Sequence, residues 1–116
     1  MNTVPWPLGN GQTLNFKHYD LNSTTWNKVA GLYIFTYDDG QYWRPLYVGQ
    51  TNDFSTRIPS HERFEEAVRN GATHIHAVVV EQQANRDRWE KLLISAHLPP
   101  LNEQHKGLLG LSRMAG

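Results

Sequence analysis

The chain of 116 residues contains no cysteine. A disulfide framework, a cysteine-ligated zinc site and a thiol nucleophile are therefore excluded. It also has no run of about eighteen consecutive apolar residues, the length that a membrane-spanning helix requires. Residues 1–11 lack the basic and apolar regions of a signal peptide. We therefore expect one small cytoplasmic domain with no membrane partner.

A surplus of positive charge is missing as well. Eleven lysines and arginines balance eleven aspartates and glutamates, so the formal net charge is zero. Proteins that bind nucleic acids usually carry a basic surplus, because they neutralise phosphates. Binding to a nucleic acid would then depend on local clustering of basic side chains. The alternative is that these side chains are scattered over the surface and simply solvated.

The middle of the chain carries a clear hairpin signal. Residues 29–37 alternate β-branched and aromatic side chains, Asp38-Asp39-Gly40 supplies a turn, and residues 41–49 form a second strand-like run. Pro45 lies inside this second run and cannot donate a hydrogen bond to a neighbouring strand. The sequence therefore predicts a long or bulged hairpin whose second strand either is an edge strand at that proline or begins its regular pairing only at Leu46.

Helical and strand patterns then alternate. Asp53 or its neighbour is suited to cap a short helix that Pro59 interrupts, and Ser60 can cap a second helix that reaches Arg69. Residues 73–81 alternate like a third strand, and residues 84–97 have the apolar spacing of a largely buried helix. We predict an α/β fold in which helices flank a three-stranded, mostly antiparallel sheet.

The first 28 residues read differently from the rest. Pro5 and Pro7 predict an irregular start, and residues 13–19 alternate weakly like a strand. We interpret residues 1–28 as an N-terminal extension packed on the core. Residues 29–104 would form the domain itself, and residues 105–116 a C-terminal tail.

Two triplets, Gly31-Leu32-Tyr33 and Tyr47-Val48-Gly49, lie on either side of the predicted turn. Arg57, His61, Glu90 and Asn102 follow them. Hydrolysis of a phosphodiester needs a proton acceptor for water, positive charge near the phosphate and a carboxylate that holds a divalent metal ion. Tyrosine, arginine and glutamate can supply all three.

The order of these residues resembles that of the GIY-YIG nuclease superfamily, over about residues 30–102. The resemblance implies the GIY-YIG fold and a metal-dependent DNA endonuclease that acts as a monomer or a homodimer. The alternative is a noncatalytic module that keeps the fold and binds a nucleic acid or a protein. Since family members usually add a separate DNA-binding domain, the resemblance does not show what recognises the substrate.

The resemblance also implies a role for each motif residue. Tyr33 would be the general base that activates water, and Tyr47 would orient it. Arg57 would stabilise the charge that grows on the phosphate, and His61 would share the phosphate or relay a proton. Asn102 would hold the active-site end of the chain or contact the phosphate.

Glu90 would be the one protein ligand to a divalent cation, Mg²⁺ or Mn²⁺. Mg²⁺ suits such a site because it keeps most of its waters. The predicted contacts to nucleic acid are Gly49, Arg44, Arg63 and Lys106.

Taken singly, the same residues have plainer interpretations. Two tyrosines on adjacent strands can be core residues, and a lone arginine or histidine on a helix is usually at the surface. Glu90 can form a salt bridge with Arg86, four residues earlier. His74 and His76 have a spacing that zinc sites use, but the sequence offers no third ligand.

Overall fold

The computed structural model describes residues 3–23, 25–59 and 61–102. Five strands and three helices follow one another in the order β1 (Thr3–Pro7), β2 (Thr13–Asp20), β3 (Gly31–Asp38), β4 (Trp43–Thr51), α1 (Phe54–Arg57), α2 (Phe64–Arg69), β5 (His74–Val79) and α3 (Gln83–His97). None of the helices in this described part of the chain is long and apolar enough to cross a membrane.

The strands form one sheet in the order β1-β2-β5-β3-β4, and every neighbouring pair is antiparallel. The predicted α/β class and antiparallel pairing are confirmed. The predicted number of three strands is wrong, because β1 and β2 add two strands beside β5. Residues of the N-terminal extension are thus part of the sheet.

Strand β1 escaped the sequence analysis because of its prolines. Pro5 and Pro7 face Asn15 and Thr13 of β2 in the register. A proline lacks the N–H that a central strand needs, but β1 is an edge strand with only one neighbour. Trp6, between the two prolines, is buried and anchors the strand to the core.

The β3–β4 hairpin has the predicted irregularity. Tyr33 pairs with Gly49 and Phe35 with Tyr47, whereas Thr36 already faces Pro45. One extra residue of β4 therefore bulges out beside the proline, and β4 is the second edge of the sheet. The predicted bulge and edge position are confirmed.

Each face of the sheet has its own apolar core. One core contains Tyr33, Phe35 and Ile75 together with Phe54 and residues of the α1–α2 region. We call this side of the sheet the tyrosine face. The other core, on the α3 face, joins residues of β1, β2, β3 and β4 to Leu93 of α3. The two cores follow from the alternation of side chains along each strand.

The three helices have distinct boundaries. Asp53 caps α1, since its carboxylate accepts a hydrogen bond of 2.9 Å from the Ser55 backbone N–H. Ser60, the predicted cap of the next helix, lies outside the described residues. Helix α3 ends where Leu98 adopts a left-handed backbone conformation, with φ 48°, before Pro99. The prediction that α3 is largely buried is wrong, because Arg86 and Leu93 are its buried residues.

Candidate active site

Tyr33 lies near the start of β3 with its ring over Gly49 of β4. The ring is buried, with 1% of its surface exposed. A Cβ atom at position 49 would collide with the Tyr33 hydroxyl, so this close approach requires glycine. Gly49, predicted as a nucleic-acid contact, therefore also makes room for the Tyr33 side chain.

The Tyr33 hydroxyl is hydrogen-bonded to His61, with 2.7 Å between Oη and Nε2. The other ring nitrogen of His61, Nδ1, accepts a hydrogen bond of 2.9 Å from the Arg63 backbone N–H. A neutral histidine carries one proton, which must then be on Nε2. His61 therefore donates to the Tyr33 oxygen and leaves the tyrosine proton free to point elsewhere.

Burial sets the protonation states of this pair. Burial, and then the positive charge of Arg57, lower the pKa of His61 to about 4. Burial, and then the neighbouring Tyr47, raise the pKa of Tyr33 above its ordinary value, although the Arg57 guanidinium opposes this. At neutral pH both side chains are uncharged, so Tyr33 is a phenol until something stabilises its anion.

Arg57 lies in the last turn of α1. Its positive charge lowers the pKa of both Tyr33 and His61. Its guanidinium forms a two-pronged ion pair with Glu62, with N–O distances of 2.7 and 3.1 Å. The ion pair lowers the pKa of Glu62 to about 2. Since Glu62 is exposed, the pair holds the guanidinium in place while leaving one side of it open to water.

Tyr47 lies beside Tyr33 on the same face, with ring centroids 6.4 Å apart. Its ring is partly exposed and stacks on Phe35. Burial raises the pKa of Tyr47, Arg57 lowers it and Glu90 raises it. Glu90 also raises the pKa of Tyr33, so its charge acts on both hydroxyls.

Glu90 reaches the site from α3, at the edge of the sheet beside β4. Its Oε1 atom accepts a hydrogen bond of 2.9 Å from Gln50, which also donates to Asp87 at 2.8 Å. Burial raises the pKa of Glu90, and Gln50 partly offsets this effect. Arg86 instead donates to the backbone carbonyls of Val80 and Glu81 and to the side-chain oxygen of Gln83. The described residues therefore show no Arg86–Glu90 salt bridge.

The donor set around Glu90 fits a hard divalent cation. No group of three or more carboxylate, histidine or cysteine side chains gathers into a metal site anywhere in the described chain. Mg²⁺ does not need such a group, because it keeps several waters and binds through one or two carboxylates plus phosphate oxygens. The partly desolvated Glu90 carboxylate, with Asp87 nearby, matches that requirement.

Asn102 holds the second triplet in position. Its side-chain oxygen accepts a hydrogen bond of 2.8 Å from the Val48 N–H, and its side-chain nitrogen donates to the Val48 carbonyl at 3.1 Å. The amide thus replaces a neighbouring strand at the open edge of β4. Since Val48 lies between Tyr47 and Gly49, Asn102 stabilises the backbone under both.

The remaining predicted contacts to nucleic acid are scattered. Arg63 is close enough to lower the pKa of Tyr47, and it is paired with Glu66 at 2.6 Å. Arg44 lies at the far end of the hairpin, where it pairs with Asp39, so it does not join the site. Lys106 and the predicted tail of residues 105–116 lie outside the described residues.

The two histidines considered for zinc lie on the opposite face of the sheet from Tyr33. His76 is fully buried, and its Nδ1 atom accepts a hydrogen bond of 2.9 Å from Trp6. Its ring also packs at 4.5 Å, centroid to centroid, against Trp43. These contacts are those of a core histidine.

Gln50, Glu62 and Asp87 were missed by the sequence analysis. Gln50 directly follows the second triplet and Glu62 directly follows His61, so proximity to the motif was the available signal. The Gln50 amide contacts Glu90, the Glu62 carboxylate contacts Arg57, and Asp87 accepts a second hydrogen bond from Gln50.

Comparison with known proteins finds similarity at the level of structure. No protein-family model and no curated protein sequence matches the chain. The magnesium-bound N-terminal endonuclease domain of UvrC from Thermotoga maritima, described as a GIY-YIG domain, matches with 25% identity and a TM-score of 0.53. The match covers 66% of this chain and 85% of that chain.

Two point mutants of the same UvrC domain, each bound to the catalytic divalent cation, match in the same way. One has 22% identity and a TM-score of 0.54, and the other 23% and 0.53. Both cover 66% of this chain and 84% of theirs. The chain therefore has the GIY-YIG fold, as the resemblance of its motif residues predicted.

Proposed function

We propose that this protein is a metal-dependent DNA endonuclease that hydrolyses phosphodiester bonds. The observation that carries the proposal is the convergence of three groups: a buried tyrosine hydroxyl, a guanidinium and a carboxylate. The Tyr33 oxygen accepts a hydrogen bond from the Nε2–H of His61, and the charges of Arg57 and Glu90 both act on the pKa of Tyr33. Support also comes from the fold, which is that of a nuclease domain that binds a catalytic cation.

In this proposal Tyr33 is the general base. Its phenolate takes a proton from the attacking water, the water oxygen forms a bond to phosphorus, and the bond to the leaving oxygen breaks. The leaving oxygen takes a proton from solvent. His61 donates its Nε2–H to the Tyr33 oxygen, which favours the phenolate once it forms. His61 is therefore a positioning residue, and the proton-relay role predicted for it is not needed.

Arg57 would bind the phosphate oxygens. Two of its terminal N–H groups already point to Glu62, which leaves further donors of the guanidinium for a second anion. A planar, always charged group suits the trigonal oxygens of the transition state better than an ammonium does. Tyr47, close to both Tyr33 and Arg57, would orient the water.

Glu90 would hold the divalent cation, with Asp87 and Gln50 orienting its carboxylate. When bound, the cation supplies positive charge to the phosphate and to the departing oxygen. A cation at this carboxylate would also cancel the negative charge that raises the pKa of Tyr33 and Tyr47.

The second candidate is a noncatalytic nucleic-acid-binding or protein-interaction module. The raised pKa of Tyr33 favours it, because a phenol is a poor base at neutral pH. The zero net charge also fits a module without a strong general affinity for DNA.

One experiment separates the two candidates. Purified protein is incubated with single-stranded, double-stranded and branched DNA in Mg²⁺, in Mn²⁺ and in EDTA, with Glu90→Gln protein as the control for contaminating nucleases. Cleavage that needs the cation and is lost in Glu90→Gln supports the endonuclease. Binding without cleavage of any of the three substrates supports the module. The cytoplasmic location and the choice between monomer and homodimer stay predictions.

A further inference from the structure

A groove lies on the tyrosine face, on the side of Phe54 away from the candidate active site. Its volume is about 450 Å³, a size typical of small-ligand pockets. Strand β2 contributes Asn15 and Lys17 to its floor, and β5 contributes Ala77 and Val79. Because β1 and β2 belong to the N-terminal extension, this extension builds one side of the groove.

The groove has an aromatic wall. Trp26 is partly exposed and packs against Tyr19 at 5.0 Å and against Phe54 at 6.0 Å, centroid to centroid. Its indole nitrogen donates a hydrogen bond of 3.2 Å to the Ser23 carbonyl. The indole is therefore held in place, which lowers the entropy lost when a flat ligand packs against it.

The charge of the groove favours an anion. Its lining contains one lysine, Lys17, several amide and hydroxyl side chains, and no carboxylate. The floor also carries Val79, an apolar side chain that is 55% exposed. Aromatic and apolar surface beside a lone cation and amides is the combination that binds unpaired nucleotides, through base stacking and phosphate contacts.

The groove is adjacent to the candidate active site. Phe54 lines it and also packs against Tyr33 at 6.5 Å. Ala77 of the floor pairs directly with Tyr33 in the sheet, and Tyr33 in turn reaches over β4 to Gly49. The groove and the Tyr33 hydroxyl are thus separated by about two strand spacings, roughly 10 Å.

From this arrangement we infer that the groove binds an unpaired nucleotide of the DNA substrate, stacked on Trp26 with its phosphate near Lys17. This inference rests on the proposed function and adds a substrate class: DNA with a single-stranded segment next to the cleaved bond. It also assigns a task to the N-terminal strands, which would take part in binding the substrate.

The test measures binding in EDTA, where no cleavage occurs. Fluorescence anisotropy compares a blunt DNA duplex with the same duplex bearing a short thymidine tail, an abasic tail or a uridine tail. We expect the thymidine tail to increase the affinity about tenfold, as one stacked base does, and the abasic tail to add much less. The uridine tail shows whether the groove distinguishes DNA from RNA.

Matched variants localise the effect. Val79→Glu and Val79→Gln introduce side chains of similar size, of which only the glutamate is charged. Only Val79→Glu should therefore weaken binding of the thymidine tail. Lys17→Gln and Arg69→Gln each remove one exposed positive charge, and only Lys17 lines the groove. Trp26→Leu should abolish the gain from the thymidine tail, and the Val79 pair keeps the test valid if this variant unfolds.

Several outcomes would overturn the inference. The first is an equal affinity for tailed and blunt duplexes. The second is an equal loss of affinity for the tailed duplex in both members of a variant pair. The third is a change of oligomeric state in Val79→Glu without a change in tail binding. Cleavage of the same substrates in Mg²⁺ is scored separately. Tail binding through the groove without cleavage would refute only the endonuclease, and cleavage without tail dependence would refute only the groove.

Discussion

Removal of one hydroxyl at Tyr33 tests both the proposed chemistry and the geometry that supports it. Tyr33→Phe keeps the ring, which packs against Phe35 and Phe54, and deletes only the oxygen. If Tyr33 is the general base, the cleavage rate should fall to background, by about 10²- to 10⁴-fold. Tyr47→Phe is the matched control, because it deletes the same atom from a neighbouring ring and should retain measurable activity.

The two variants should also differ in stability. His61 is 5% exposed, and its Nε2–H loses its acceptor in Tyr33→Phe. An unsatisfied buried donor costs about 1–3 kcal/mol. At about 4 °C for each kcal/mol in a domain of this size, the melting temperature should fall by roughly 4–12 °C. The Tyr47 hydroxyl forms no hydrogen bond with the described residues, so Tyr47→Phe should melt close to the wild type.

The assay is single-turnover cleavage as a function of pH, with thermal melts of the same preparations. Because burial raises the pKa of Tyr33, its ionised fraction grows about tenfold per pH unit across the accessible range. The logarithm of the rate should therefore rise with a slope near one between about pH 7 and 9 in the wild type and in Tyr47→Phe.

Three results would refute the reasoning. If Tyr47→Phe is inactive and Tyr33→Phe is merely impaired, the roles of the two tyrosines are exchanged. If both variants keep full rates, neither tyrosine is the base. If Tyr33→Phe melts like the wild type, His61 does not donate to this oxygen, and the proton assignment is wrong.

Three further predictions concern the metal, the phosphate and acid stability. Glu90→Gln should abolish cleavage at limiting Mg²⁺ and leave the melting temperature unchanged. Asp87→Asn alters the same hydrogen-bond network and should only raise the Mg²⁺ concentration that cleavage requires. Equal losses of activity in a Mg²⁺ titration of the two variants would make both carboxylates ligands. Arg57→Lys should lower the rate about 10²-fold with little change in DNA affinity, and equal losses in both would make Arg57 a general backbone contact. The folded state lowers the pKa of His61 to about 4 and of His76 to about 3, so the unfolded chain binds more protons below pH 6.5. Stability should therefore be greatest above pH 6.5 and fall on acidification by about 1.4 kcal/mol per pH unit for each histidine, down to about pH 4 for His61 and about pH 3 for His76. In His61→Gln, the free energy of unfolding measured with urea should depend less steeply on pH.

The pattern of residues along the chain was sufficient to predict the hairpin, the third central strand and the long helix. These elements rest on local periodicity and turn chemistry, which a linear sequence displays directly. The bulge beside Pro45 was predictable for the same reason, since a missing N–H is a local property. The resemblance to the superfamily, and with it the GIY-YIG fold, followed from the order of the two triplets and the residues after them.

Strand β1 depended on tertiary context. Two prolines in five residues argue against a strand, and only the edge position of β1 makes them tolerable. That position exists because β2 docks beside β5, more than fifty residues later in the chain. No local pattern reports such a partner.

The protonation of the candidate site also required the three-dimensional structure. The resemblance implied that Tyr33 is a base and Arg57 a nearby cation, but it could not show that burial raises the pKa of Tyr33 more than Arg57 lowers it. The Arg63 backbone N–H determines which nitrogen of His61 carries the proton, and Gln50 contacts both Asp87 and Glu90 across the edge of the sheet. Residue types and their order suffice to predict which groups could act, whereas desolvation and long-range hydrogen bonds, which set their charge and orientation, arise only when distant segments pack together.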